Sequence, residues 1–415
     1  MAEITRIARV RVAVESSFGA DGTGTMGNFF SVRCDSITSP RSVKAPIDVD
    51  PLRSFRGQEY ATEFGFQHTQ LTAGGDLCSV GTAIGNGVTT TKDGISKLFE
   101  QILGGYRTGE GSLVASAVGA TSFSVSAGDG AQLLDGQIIF IETTDTSSIY
   151  LANVVATRST DALTTLLDHS ATPSVGADVL NTQMVYETDK PVGTVQWLVE
   201  YTRDRDDIFL YLGCNGSLSI TWPLGQKVAW QTQQNVTKIL HDDELAGPQG
   251  GSAISVYSLD SGTPVLAKSG SSASGGSIHF GPASATTRVN PTVLEFTFDP
   301  GIAWQEVPSF NGEEGRAGWE ALPGKPMATL TVLAGTETYK DARDAGTIYS
   351  LLAQAGATGG KQIALFFPRA QIVNIEAVEV NGLAGEKLTL ELHAASQFPD
   401  QSTDVRRYRW AMGRG

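Results

Sequence analysis

Two spacings of apolar residues organise this chain, and one of them is rare. Over most of the sequence apolar and polar residues alternate, the pattern of strands with one buried face. In residues 4–14, ITRIARVRVAV, the apolar set includes Ile7, Val10, Val12 and Val14. FFSVRC (29–34) reads as a second strand, and YATEFGFQHT (60–69) puts Tyr60, Thr62, Phe64 and Phe66 on one face. GISKLFEQIL (94–103) breaks the rule. Its Ile95, Leu98, Phe99, Ile102 and Leu103 recur at helical spacing and form one stripe. Thr91 or Asp93 can cap its start, and Gly104-Gly105 stop it. A lone amphipathic helix among strands must bury its stripe on a sheet.

After Gly105 the chain turns poor in lysine and rich in Ser, Thr, Ala, Gly and Val. Residues 122–128, 136–142, 148–157 and 178–187 read as strands separated by turns such as Gly128-Asp129-Gly130. Their spacing is that of a small barrel or sandwich inserted into a larger body. Strands resume at 195–214, and 216–239 reads as a hairpin turning at Pro223-Leu224-Gly225-Gln226. On its return strand Val228, Trp230, Thr232 and Gln234 share one face, and the opposite face is rich in Gln. Further strands are expected at 292–307 and 327–335, a second short helix at 341–356 (Ile348, Leu351 and Leu352 on one face), and three strands at 361–396, broken at Pro368 and Asn381-Gly382. Long polar stretches at 35–59, 241–252, 269–277 and 308–326 read as loops.

The fold class expected is therefore mainly β: a β-sandwich or barrel body with one docked α-helix (94–103) and an inserted small β domain. The body comprises 1–107, 191–240 and 327–415, the insert 108–190, and 241–326 is a loop-rich β region read as outward decoration.

Composition narrows the function. The net charge of −14 argues against nucleic-acid binding through a basic patch. The local basic tail of Arg406, Arg407, Arg409 and Arg414 reads as a solvated terminus or a salt-bridging contact. Three cysteines, Cys34, Cys78 and Cys214, are an odd number without metal spacing, which points to a reducing compartment. The opening MAEITRIARV holds no apolar signal core, and no apolar run approaches a membrane span, so neither standard export nor a membrane anchor is expected.

Catalytic chemistry finds no footing. There is no nucleophile elbow, phosphate loop or zincin helix, and His68, His169, His241, His279 and His393 are scattered. His241-Asp242-Asp243-Glu244 is the densest set of metal-ligand types, but consecutive loop residues rarely converge on one ion. Asp204, Asp206 and Asp207, interleaved with Arg203 and Arg205, read as a strand-edge cluster or subunit contact. The glycosylation patterns at Asn215 and Asn235 carry no meaning without export. Trp222, Trp230, Trp304, Trp319 and Trp410 serve better as core or interface anchors than as a sugar platform. No catalytic, cofactor-binding or metal residue is assigned, and an enzyme is not expected.

Four stretches, in this order, carry a family resemblance: ATEFGFQHTQL (61–71) followed by GISKLFEQILGG (94–105); the small β insertion ending near Tyr186; YLGCNGSLSITWPLGQKVAWQTQ (211–233); and FFPRAQIVNIEAVEVNGLAGEKLTLELHAA (366–395). Their order resembles the major tail tube proteins of long non-contractile-tailed bacteriophages. The resemblance implies a structural virion protein, made in the bacterial cytoplasm, whose copies form rings, usually sixfold. The rings stack with other tail proteins into a hollow tube through which DNA passes without specific binding. It also implies that the N-terminal arm and loop 35–59 grip the next ring, and that the Gln/Thr-rich face of 228–234 suits a solvated lumen, with acidic charge keeping DNA from sticking. Two alternatives stay open: another tail ring component (terminator, distal tail or baseplate protein), or a carbohydrate-binding β-sandwich module.

Overall fold

The computed structural model describes residues 6–15, 29–39, 44–47, 63–66, 69–77, 94–107, 112–143, 149–169, 173–187, 193–202, 206–223, 225–241, 276–313, 316–322, 324–334, 338–358, 361–380, 382–394 and 408–414. The first block of elements is β1 (Arg6–Val14), β2 (Phe30–Ser31), β3 (Ser36–Thr38), β4 (Lys44–Ile47), β5 (Glu63–Phe66), β6 (Thr69–Asp76), α1 (Gly94–Leu103) and β7 (Gly104–Arg107). The second is β8 (Ser112–Val118), β9 (Ser122–Val125), β10 (Ile138–Glu142), β11 (Tyr150–Ser159), β12 (Ala162–Thr165) and β13 (Asp178–Asn181). The third runs β14 (Gln183–Glu187), β15 (Val195–Thr202), β16 (Asp206–Pro223), β17 (Ala229–Val236), β18 (Lys238–His241), β19 (Ile278–Pro282) and β20 (Val293–Asp299). It ends with β21 (Ala303–Glu313), β22 (Arg316–Leu322), β23 (Met327–Leu333), α2 (Thr338–Asp344), β24 (Ile348–Ala355), β25 (Ile363–Val380), β26 (Leu383–His393) and β27 (Ala411–Arg414). The fold is mainly β and antiparallel, as its alternation dictates.

Strand β16 belongs to two sheets. Its first half pairs with β15, which leads on to β1 and β2, and with β18. Its second half enters the principal sheet, whose order is β3, β6, β17, β16, β20, β23, β26, β25. Beyond it, β25 also pairs with β24 and β27. The change of sheet is made by a bulge. Val195 faces Cys214 but Trp197 faces Tyr211, so Leu212 and Gly213 together oppose Gln196. Gly213 takes φ +61°, a left-handed value that suits glycine at a bulge. Before it the odd residues Phe209 and Tyr211 enter the main core; after it the even residues Cys214, Leu218, Ile220 and Trp222 do. The Glu15 carboxylate fixes the bend, accepting from the Gly213 amide at 2.5 Å and from the Thr194 hydroxyl.

The principal sheet curls around that core. Phe367 of β25 lies 5.0 Å from Phe298 of β20 between ring centroids, although β23 and β26 separate their strands in the sheet. Trp410 stands edge-on to Phe298 at 4.3 Å. Helix α1 closes the core with Ile95, Leu98 and Phe99, all fully buried. Its Gln101 donates to the Cys214 carbonyl at 3.1 Å, and its Ser96 hydroxyl accepts from buried Arg414 at 3.2 Å. Gly104, at φ +90°, ends it as expected. Gly105 lies under the ring of Tyr186, where a Cβ would sit 2.4 Å from Cε2. The side chains of Ile102 and Leu103, and the caps Thr91 and Asp93, lie outside the described residues.

Strands β8–β13 close into a barrel spanning 112–181. Its interior is filled by Leu113, Phe123, Val125, Leu133, Ile139, Ile141, Val155, Leu163 and Val179. The other parity of β10, Ile138 and Phe140, faces outward and packs with Leu352, Ala364, Phe366, Tyr408 and Ala411 of the body. Gln354 ties the two together, accepting from the Ala152 amide at 2.7 Å and donating to the Tyr150 carbonyl at 2.8 Å.

Several expectations are corrected. Residues 178–187 are two strands, not one: Thr182, whose hydroxyl donates to the Ile138 carbonyl at 2.6 Å, marks the exit from the barrel, and β14 joins the principal sheet. The apolar run in 341–356 is not helical. The helix is the earlier α2, and 348–355 is a strand buried on both faces, Leu351 and Ala353 in the main core and Leu352 against the barrel. The 241–326 region is not decoration throughout, since β19 and β20 sit in the principal sheet. Its polar stretch 308–326 contains most of hairpin β21–β22 rather than a loop. Pro368 does not break a strand: it lies within β25 at a register slip between Tyr349 and Leu351, where its missing N–H costs no ladder bond. Residues 35–59 are not all loop, because β3 pairs with β6 and β4 with β5; 48–59 lie outside the described residues. Of the two readings of the basic tail, Arg409 follows the salt-bridging one, while Arg414 follows neither. Arg414 is fully buried, and the half-buried Arg409 grips the Glu187 carboxylate, with Nε 2.9 Å from Oε2; Arg406 and Arg407 lie outside the description.

Candidate functional site, an uncharged polar sheet face

The face of the principal sheet turned away from the core carries an open polar surface. Where alternation holds, one parity packs inward and the other must be polar. Inward, Trp222, Phe296, Leu330 and Leu388 stand in register across four strands. One residue along, the same strands present Thr221, Thr297, Thr329 and Thr389 in register on the opposite face. The Thr297 and Thr329 hydroxyls are hydrogen-bonded to each other. Such cross-strand pairs support the sheet without burying charge.

The row continues as amides. Gln233 donates to Gln70, Gln70 to Asn235 at 3.3 Å, and Asn235 to Asn215 at 3.3 Å. Ser36, Thr38, Thr72, Gln231, Ser217 and Ser219 complete the surface over β3, β6, β17 and β16. Charge flanks the threonine row on both sides, where each lysine faces a carboxylate, and Arg369 stands opposite His393 at the end of β26. Lys227 bonds Asp76 at 2.5 Å, Lys325 lies 3.7 Å from Glu391, and Lys387 stands opposite Glu376. Glu295 and Asp299, on either side of Thr297 in β20, add acidic charge.

Hairpin β21–β22 braces the fork in β16. Between the stretch paired with β15 and the stretch paired with β20, the Gly216 carbonyl accepts from the Trp304 indole at 2.8 Å. Trp319 donates to the Thr237 hydroxyl at 3.0 Å. The other singled-out tryptophans, Trp222, Trp230 and Trp410, are core residues. The five therefore present no common exposed face for a sugar ring.

The remaining candidates do not converge. Among the described residues no group of three or more His, Cys, Asp or Glu could hold a metal ion, and no helix is long and apolar enough to cross a membrane. His241 ends β18, and Asp242, Asp243 and Glu244 lie outside the description, as do Arg203, Asp204, Arg205, Cys78 and His68. Asp206 and Asp207 begin β16, paired with Thr202 and Tyr201. Burial, with Asp35 alongside, pushes the Cys34 thiol up to about 12, and burial followed by Glu15 raises that of Cys214. Neither is a ready thiolate at neutral pH.

Sequence reasoning found the Gln-rich face of β17 but missed the threonine row. Each member was visible as an alternating Thr, in SITW, EFTFD, ATLTVL and KLTLEL. Nothing local shows that these strands are neighbours. Compared with known proteins, the chain matches no family model and no curated protein sequence.

Proposed function

We propose that this chain is the building block of a self-assembling hollow tube, a tail tube subunit of the long non-contractile-tailed phage type. The observation that carries the reading is the polar face of the principal sheet, where Ser, Thr, Gln and Asn predominate and each lysine faces a carboxylate. A wall past which a polyanion must slide needs water-compatible groups and no unmatched cations, because each free cation at phosphate gives a counterion-release gain that holds DNA in place. Serine, threonine and glutamine meet both demands, and the flanking carboxylates repel phosphate further. The net charge of −14 agrees. Short outer strands such as β3 and β7, each paired on one side among the described residues, offer ladder positions for a neighbouring copy.

The test is negative-stain electron microscopy of purified protein at rising concentration, with and without preformed tail tips as seeds. Long hollow tubes of uniform width are expected. Single closed rings that never stack would reassign the chain to a terminator or another ring component, and monomers under every condition would sink the reading.

A further inference from the structure

The barrel is clamped to the body at one end by a polar cluster around Arg288 and His279. Arg288, in the connection between β19 and β20, reaches across the junction and donates to the Ala152 carbonyl at 2.5 Å and the Asp168 carbonyl at 3.0 Å. The Asp168 amide returns a bond to the Thr286 carbonyl at 2.8 Å. What holds Arg288 in place is its neighbour, Val289. The Val289 amide donates to Nδ1 of His279 at 2.9 Å, and its carbonyl accepts from the Phe280 amide at 2.9 Å. His279 is fully buried, with Nε2 3.3 Å from the Ser350 hydroxyl. Because Nδ1 accepts, its proton must sit on Nε2, so the clamp requires the neutral ring.

We propose that His279 is an acid-sensitive latch: protonation at Nδ1 breaks its bond to Val289, frees the segment carrying Arg288, and releases this end of the barrel from the body. Two neighbours strengthen the response. Arg288 faces His279 from the connecting segment, so a second cation there is repelled. His169, on the barrel beside Phe123, faces the same guanidinium, and Asp168 is the acidic group close to both. Burial first, and Arg288 second, lower both histidines to about 4.

The sign follows from linkage. A histidine whose docked pKa lies below its ordinary 6.5 favours docking fully above 6.5, and that contribution is lost as pH falls toward 4. For His279 alone, docking at pH 4 is weakened on the order of a hundredfold. The latch stands independently of what the assembled protein carries.

Hydrogen–deuterium exchange of the full chain between pH 7 and pH 4, normalised to intrinsic rates, tests it. Peptides covering the Ala152, Asp168 and Val289 amides are expected to lose protection as pH falls, while β10 within the barrel keeps its own. In H279N, whose Oδ1 retains an acceptor for Val289 but does not titrate, protection should persist to pH 4.5. Continued protection of the native junction at pH 4 overturns the proposal, as does simultaneous loss in β10, or an unshifted midpoint in H279N. Should H279N not fold, H169F removes one of the two charges and leaves the Val289 acceptor in place. Its midpoint should then fall, and an unchanged midpoint is equally fatal.

Discussion

One face of the principal sheet exists in two forms. Over β24, β27 and the first part of β25 it is apolar and covered by the barrel, through Leu352, Ala364, Phe366 and Ala411. Over β3, β6, β17, β16, β20, β23 and β26 it is mostly Ser, Thr, Gln and Asn and is left open. The backbone pairing is the same in both, and so is the core beneath. The difference lies in alternate residues: strands apolar at both parities have acquired a cover, and strands apolar at one parity have not. The barrel is thus a structural layer rather than an appendage, and the open half is a surface available to other molecules.

Breaking the covered half should have the largest effect. Phe366 is fully buried between sheet and barrel, edge-on to Tyr408 at 6.3 Å. Phe366→Ala removes a ring from a packed interior and should lower unfolding stability by about 3–5 kcal/mol. Guanidinium denaturation followed by tryptophan fluorescence measures it. A loss below about 1 kcal/mol would show that the barrel seats loosely and that the cover is optional.

The same contrast explains what could be read from the sequence. The barrel was legible because half of its pairs are local: β8 with β9, β10 with β11, β11 with β12. The helix at 94–103 was legible because one stripe at one period suffices to mark it. The principal sheet was not, since β6 meets β17 and β14 meets β27 across large separations. The misreading of Ile348, Leu351 and Leu352 as a helical face has a specific cause. A strand buried on both sides loses its alternation, and it is buried on both sides only because a barrel from elsewhere in the chain lies on it. The open face was half legible: Gln231 and Gln233 stood out on one strand, while the threonine row needed four strands in register.

An intermediate effect is expected where the two sheets part. Gly213 holds φ +61° at the bulge that exchanges inward and outward parity in β16. A Cβ in that conformation costs about 1–2 kcal/mol, so Gly213→Ala should lower the denaturation midpoint by a corresponding amount, less than Phe366→Ala does. A neutral result would mean that the bulge relaxes into another conformation and that the shared strand, not the glycine, sets the sheet exchange.

The smallest change in stability should accompany the largest change in surface chemistry. Gln231 and Gln233 are exposed on the open half, away from every core. Replacing both with lysine leaves the ladder and the inward residues Trp230 and Thr232 as they are. Folding stability should therefore move by no more than about 0.5 kcal/mol per site. If this face lines a channel for DNA, the same pair places unmatched cations along it, and retention of short duplex DNA by assembled tubes should rise and fall off steeply with salt. Filter binding at two ionic strengths, on native and variant tubes, separates the outcomes. Salt-dependent retention by the variant, with none by the native tube, puts the polar face on the DNA path. Equal retention by both places the face elsewhere in the assembly, even where tubes form normally, because a surface that DNA never meets is indifferent to its lysines.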